Sequence, residues 1–135
     1  MNEEGRMNEK EKPESVEKTY DMRKRTKEFA LQVINLTLAL PKHPQVQVLG
    51  RQLLRSGTSV GANYREGYRA RSPQEFISKL GICLQELEET IYWIELLEEG
   101  RLVRSEKLTG VKKEADELTA IFVSSIKTMK LKENK

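Results

Sequence analysis

Apolar residues recur every three or four positions along most of this chain, which is the spacing of amphipathic α-helices. No segment alternates apolar and polar residues as a half-buried strand does. Four such helices with short connections pack most simply as an antiparallel bundle. The pattern therefore predicts an all-α fold, an up-down-up-down four-helix bundle with helices over residues 21–40, 44–69, 73–99 and 105–131.

Residues at the predicted helix ends support these boundaries. Ser72 can cap the third helix, Pro73 fits its first position, and Glu75 can reach back to complete a capping box. Gly100 is placed to end that helix in a left-handed conformation, and Ser105 is placed to cap the fourth helix.

Small residues interrupt the second helix. Gly57 and Gly61 lower its intrinsic helix propensity, but they allow another helix to approach closely. We therefore predict close helix packing at both positions.

Composition limits the chain to one folded domain. With 135 residues, 37% of them hydrophobic, it can bury one modest core. Residues 1–19 carry few apolar side chains and are predicted to form a disordered or weakly helical leader before the bundle at 20–135. No apolar run is long enough for a membrane span or a secretory signal, so a cytoplasmic location without membrane contact is expected.

Charge is distributed unevenly along the chain. Residues 20–71 hold ten basic and three acidic side chains, whereas residues 72–100 hold one basic and seven acidic ones. Four arginines of the second helix fall within an arc of about 80°, opposite its apolar face, over about 27 Å. They are either a phosphate-binding stripe or an ordinary solvated helix face. The candidate nucleic-acid-binding residues are Arg23, Lys24, Arg25, Lys27, Arg51, Arg55, Arg65, Arg69 and Arg71.

The third helix carries apolar residues on the side that should face water. Ile82, Trp93 and Leu96 accompany Glu86 and Glu89 there. An aromatic side chain among apolar and acidic residues is typical of an interface anchor, and the two glutamates could pair with an arginine from a neighbouring subunit. These five residues are the predicted oligomer interface. In the alternative interpretation, Trp93 and Leu96 only border the intramolecular core.

Enzyme chemistry has little support in the sequence. The only histidine, His43, lies in a proline-rich turn, and Cys83 lies on an apolar helix face. No Glu-x-x-His pair of a bundle di-metal site occurs. We therefore expect no catalytic residues, no metal, no cofactor and no small-molecule substrate.

Two runs of sequence carry a family resemblance. LLRSGTSVGANYREG, followed by SPQEFISKLGICLQELEETIYWIELL, resembles the bacterial 23S rRNA-intervening-sequence proteins, and the likeness extends from about Tyr20 to the end. The resemblance implies a four-helix bundle, a ring-shaped homo-oligomer such as a pentamer, association with RNA, and no catalysis. It also implies kinship with the accessory proteins of diversity-generating retroelements, which work with a reverse transcriptase.

Two functions remain open at this stage. The first is a basic, oligomeric bundle that binds structured RNA or another nucleic acid through phosphate contacts. The second is a protein-interaction scaffold or accessory subunit, for example of a reverse-transcriptase complex or of another nucleic-acid-bound protein. In the second case the charged faces are used in self-assembly. Because the basic and acidic patches differ, contact between copies would be head-to-tail and could close a ring.

Overall fold

The computed structural model describes the backbone of residues 14–134 and the side chains of residues 22–134. Within this part of the chain every regular element is an α-helix, which confirms the all-α class. Residues 1–13 of the predicted leader lie outside the described residues, and the first helix begins inside the remainder of that segment. The helices are α1 (Glu14–Leu38), α2 (Pro44–Tyr68), α3 (Pro73–Glu99) and α4 (Ser105–Glu133).

The start of α3 has the predicted cap with one change. The Ser72 hydroxyl accepts a hydrogen bond from the backbone N–H of Glu75 at 3.1 Å, and Pro73 is the first helical residue. The Glu75 carboxylate accepts from the backbone N–H of Arg71 at 3.2 Å, rather than from that of Ser72. This local bonding network secures the turn between α2 and α3.

Two predicted helix ends are wrong in detail. The left-handed residue after α3 is Arg101, with φ 57°, whereas Gly100 has φ −74°. Glycine is favoured at position 100 by space, because a Cβ there would lie 2.7 Å from the carbonyl oxygen of Leu96. Ser105 is the first residue of α4 rather than its cap, and Arg104 before it makes no side-chain capping bond.

Consecutive helices run antiparallel, which confirms the up-down arrangement. Gly57 of α2 lies against Val33 of α1 and Gly50 lies against Leu40, so residue numbers fall along α2 as they rise along α1. The same opposition relates α2 to α3 and α3 to α4. The contact between α2 and α3 is the most extensive, and that between α1 and α4 is the smallest.

The predicted small residues of α2 face α1 closely. A Cβ built on Gly57 would lie 2.7 Å from a methyl carbon of Val33, which is closer than atoms can approach without movement. At Gly61 the nearest atoms belong to Thr26, at 3.3 Å. The backbone of α2 therefore packs against a side chain of α1 at Gly57, and against both the backbone and the side chain of Thr26 at Gly61.

One apolar core runs the length of the bundle. Its largest fully buried side chains include Phe29 of α1 and Phe122 of α4. Burial of a side chain of this size contributes about 2 to 3 kcal/mol relative to exposure. The core residues are Met22, Phe29, Val33, Leu36, Leu40, Val46, Leu53, Val60, Tyr64, Leu80, Cys83, Leu87, Ile94, Leu97, Val103, Leu108, Val111, Ala115, Leu118 and Phe122.

A pair of hydroxyl groups crosses the buried contact between α2 and α3. Thr90 Oγ1 and Ser56 Oγ are 2.8 Å apart, and neither side chain is exposed. Thr90 Oγ1 also donates to the carbonyl oxygen of Glu86, one turn earlier in its own helix. This bond links one position of α2 to one position of α3. The same alignment of the two helices brings Arg55 of α2 next to Glu86 of α3 on the outer surface.

Candidate nucleic-acid interface

Arg25, one of the predicted phosphate ligands, is used inside the bundle. Its Nε and Nη2 atoms donate to the two oxygens of Glu114 at 2.7 and 2.9 Å, and Nη2 also donates to Glu117 at 2.9 Å. The hydrogen bond to Glu114, with the charges of both glutamates, raises the pKa of Arg25 above its usual value despite an opposing effect of burial. A guanidinium held in two-point contact by a carboxylate stabilises the small α1–α4 contact and is not free to bind phosphate.

Arg55 is likewise paired within the chain. Its guanidinium contacts Glu86 at 3.3 Å and also Glu89. The sequence had suggested that these glutamates pair with an arginine of another subunit, but here the arginine belongs to α2 of the same chain. Helical spacing alone could not show this, because the contact depends on the height at which α2 meets α3.

Five of the other predicted basic residues are exposed and are not in ion pairs of this kind. Lys27, Arg51, Arg65, Arg69 and Arg71 are exposed and form no ion pair with any side chain that the structure describes. The next two residues differ in surroundings. Lys24 is exposed on the outer side of α1, and the guanidinium carbon of Arg23 lies 4.6 Å from the ring centre of Tyr68.

Two of these unpaired cations line a shallow groove between α1 and α2. Lys27 of α1 and Arg65 of α2 line it together, and the residues between them are small. The groove encloses about 270 Å³. Its floor is made by Thr26, Ala30, Thr58, Gly61 and Ala62.

Beside the groove, α1 exposes a strip of apolar side chains that the sequence reasoning missed. Leu31, Ile34 and Leu38 are 50, 36 and 80% exposed. Leu54 of α2 is 36% exposed, and the opposition of Gly57 with Val33 and Gly50 with Leu40 places it at the level of this segment. The spacing of residues 31, 34 and 38 was the available signal, since it repeats on the face opposite the core. We call Leu31, Ile34, Leu38 and Leu54 the apolar strip.

The predicted interface on α3 is less exposed than expected. Ile82, Trp93 and Leu96 are half-buried, and Trp93 packs against the core. The indole N–H of Trp93 is buried and has no acceptor among the described residues. Its neighbour Tyr92, which was not predicted, is 52% exposed, with its ring centre 5.1 Å from that of Trp93. Trp93 therefore borders the core, and Tyr92 is the outermost aromatic residue of α3.

The thiol and the imidazole considered for catalysis lie in different surroundings. Cys83 is fully buried, and its Sγ donates to the carbonyl oxygen of Val60 at 3.4 Å. Burial raises the pKa of the Cys83 thiol to about 12, so it carries little thiolate at neutral pH. His43 is exposed in the turn before α2.

The described residues contain neither a cluster of metal-ligating side chains nor a membrane-spanning helix. No group of three or more His, Cys, Asp or Glu side chains there is placed to hold a metal ion. None of the helices in this part of the chain has both the length and the apolar character of a transmembrane span.

Fold and surface together define a small antiparallel four-helix bundle with a cationic face formed by α1 and α2. The chain belongs to the family of 23S rRNA-intervening sequence proteins, whose model matches residues 18–124. The resemblance carried by the α2 and α3 sequences is therefore confirmed.

A solved structure supports the same assignment. The chain is 37% identical to a protein of unknown function from the S23 ribosomal protein family of Bacteroides thetaiotaomicron VPI-5482, whose crystal structure was determined at 1.70 Å. The match covers 82% of this chain and 98% of the other, with a TM-score of 0.76. No curated protein shows significant similarity to the chain.

Proposed function

We propose that this protein binds RNA through phosphate contacts on the α1–α2 face and catalyses no reaction on it. The observation that carries the proposal is the set of exposed cations left without an ion pair among the described residues, centred on Lys27 and Arg65 at the groove. Arg25 is instead held by carboxylates of α4, and Arg55, at the α3 side of the arginine stripe, is held by carboxylates of α3.

The shape of the groove suits a sugar-phosphate backbone. Because its floor has no side chain larger than threonine, a phosphate can approach both helices, with Lys27 and Arg65 within reach on either side. Arg51 and Arg69 extend the charge along α2 in both directions. Contacts of this type neutralise phosphates without reading bases, so binding through the groove should be indifferent to sequence.

The family assignment supports the same ligand class. Its name refers to intervening sequences of 23S rRNA, and the structural neighbour is described as a member of a ribosomal protein family. An RNA of the cytoplasm is the proposed partner.

A second candidate function is a self-assembling protein scaffold, and the apolar strip favours it. Isolated exposed leucines are ordinary on protein surfaces, but adjacent ones along one helix face are typical of a protein contact. We propose that the strip contributes to the ring-shaped homo-oligomer, with a pentamer as the expected form. Several copies of one basic groove on a ring would bind a long RNA more tightly than one copy, so the two functions are compatible.

The RNA proposal is tested by titrating labelled RNAs of unrelated sequence with the wild-type protein at several salt concentrations. We expect binding at low salt, with an affinity that falls about tenfold or more between about 50 and 200 mM salt, since each neutralised phosphate releases counterions. Lack of binding to every RNA at low salt would refute the proposal and leave the scaffold function.

The assembly proposal predicts a difference between helix faces. Leu31→Gln combined with Leu38→Gln should weaken self-association by at least about tenfold, because two exposed leucines lose apolar contact in the complex. The matched control, Val123→Gln with Leu131→Gln, changes two similarly exposed side chains on α4 and should leave assembly intact. Sedimentation velocity over a range of protein concentrations measures both.

A third variant separates this proposal from the interface predicted on α3. Leu96→Gln should have little effect if the apolar strip mediates assembly. Loss of assembly with Leu96→Gln, and none with the α1 variant, would assign the contact to α3 instead.

A further inference from the structure

A second pocket lies at the end of the bundle where α2 passes into α3. It is open to solvent and has a volume of about 360 Å³, close to the lower limit for small-ligand sites. Tyr68, Phe76 and Met129 provide much of its apolar wall, and Arg71 lines its polar side. The surfaces offered are therefore flat aromatic and apolar groups next to a cation.

The exposed ring of this pocket is Tyr68. It is 41% exposed, although one side of it is occupied by the guanidinium of Arg23 at 4.6 Å. The neighbouring rings of Tyr64 and Phe76 lie next to each other, with centres 6.4 Å apart in an edge-on arrangement. Tyr68 is 6.4 Å from Tyr64, so the pocket borders a cluster of aromatic side chains.

Arg71 lines this pocket, and two further arginines lie close to it. Arg69 and Arg71 are exposed and form no ion pair with a described side chain, and Arg23 contacts Tyr68. The nearby carboxylate of Glu75 accepts from the backbone N–H of Arg71, and that of Glu66 is paired with Lys79 at 2.7 Å. Arg69 is also the last residue of the basic stripe on α2, so the pocket lies at the end of the proposed RNA-binding face.

We propose that this pocket receives one unstacked base of a single-stranded RNA, with the base against Tyr68 and the adjoining phosphates on Arg69 and Arg71. The inference rests on the proposed function and specifies its ligand. Stacking on an aromatic side chain does not discriminate strongly among bases, because every base has a π-face. The α1–α2 groove then holds the backbone, while the pocket requires a base that is not paired.

Charge and shape favour this occupant over duplex RNA. Bases in an A-form helix are stacked and paired, so none can enter the pocket, and only the cationic face remains for contact. The protein should therefore bind single strands or loops more tightly than a duplex of equal length.

The test compares a short single-stranded RNA with the fully paired duplex of the same length, by fluorescence anisotropy at constant low salt. Tyr68→Ala should weaken single-strand binding about tenfold, the loss expected for one stacked base, and leave duplex binding within about twofold. Tyr68→Phe, which keeps the ring, should bind as the wild type does. Tyr92→Ala removes a similarly exposed tyrosine of α3 and should change neither affinity. Circular dichroism confirms that each variant is folded.

The outcomes separate the inference from the proposed function. If the wild type binds neither RNA, the proposed function fails. If it binds both, and Tyr68→Ala has no effect or weakens both equally, the base pocket is refuted while phosphate binding stands. An equal loss for both RNAs would show that Tyr68 acts by holding Arg23 rather than by stacking.

Discussion

Replacing Lys27 and Arg65 together by glutamate is expected to weaken RNA binding on the order of 100-fold at low salt. Both side chains line the groove, and neither is in an ion pair with a described residue. Reversing their charge therefore changes the surface potential without breaking an ion pair inside the bundle. Two lost phosphate contacts should also lower the slope of log affinity against log salt by about two. The loss should be the same for unrelated RNA sequences. Fluorescence anisotropy at several salt concentrations measures the affinity and the slope.

A control variant is needed to distinguish the effect of losing the groove cations from the effect of lowering the net charge of the protein. Lys113→Glu with Lys127→Glu makes the same change in charge on exposed positions of α4. This control should lose much less affinity, since its lysines lie outside the α1–α2 face. Equal losses in the two double variants would mean that the protein attracts RNA through its overall charge and that the groove is not a site.

Replacing Gly57 by leucine is expected to lower the free energy of unfolding by about 3 kcal/mol. Even a single Cβ there would lie 2.7 Å from Val33, so a larger side chain must push α1 and α2 apart. Gly57→Ala should have the same sign with a smaller effect. Denaturant unfolding followed by circular dichroism gives the midpoints, and several protein concentrations should be used because assembly alters apparent stability.

Gly110 of α4 is the control position for Gly57, because it is also a glycine within a helix but has no close neighbour. A Cβ built there meets no atom within 4 Å, so Gly110→Leu gains helix propensity without a clash and should stabilise the protein by about 0.5 to 1 kcal/mol. The same chemical change thus has opposite effects at the two positions. A Gly57→Leu variant with the wild-type midpoint would show that the α1–α2 contact is loose.

The helices and their inward faces were predictable from sequence because burial follows a local period. The helix starts at Pro44 and Pro73 agree with the structure, and so does the cap at Ser72. At the other end of α3, the requirement for glycine at position 100 comes from the Leu96 carbonyl, and the left-handed residue is Arg101. Sequence rules place glycine at left-handed positions, so they chose the wrong residue of the two.

The candidate site was only partly predictable, since it depends on contacts between helices. The spacing of the arginines put all four on the outside of α2, and they are exposed. It could not separate Arg55, which is paired with Glu86, from Arg65, which lines the groove. The spacing also gave no sign that the guanidinium carbon of Arg23 lies 4.6 Å from the ring centre of Tyr68, because these residues meet only when α1 and α2 pack together.

The hydroxyl pair of Ser56 and Thr90 has a consequence for the alignment of α2 with α3. A bond between two neutral hydroxyls adds only about 1 kcal/mol to stability. If α3 slid by one turn along α2, that bond would be lost, and each hydroxyl would keep only a bond within its own helix, Thr90 to the Glu86 carbonyl and Ser56 to the Leu53 carbonyl. Apolar contacts between two helices tolerate such a slip far better, because leucines can exchange partners. The pair therefore favours one alignment of the two helices, and with it the position of the α3 wall of the pocket beside Tyr68.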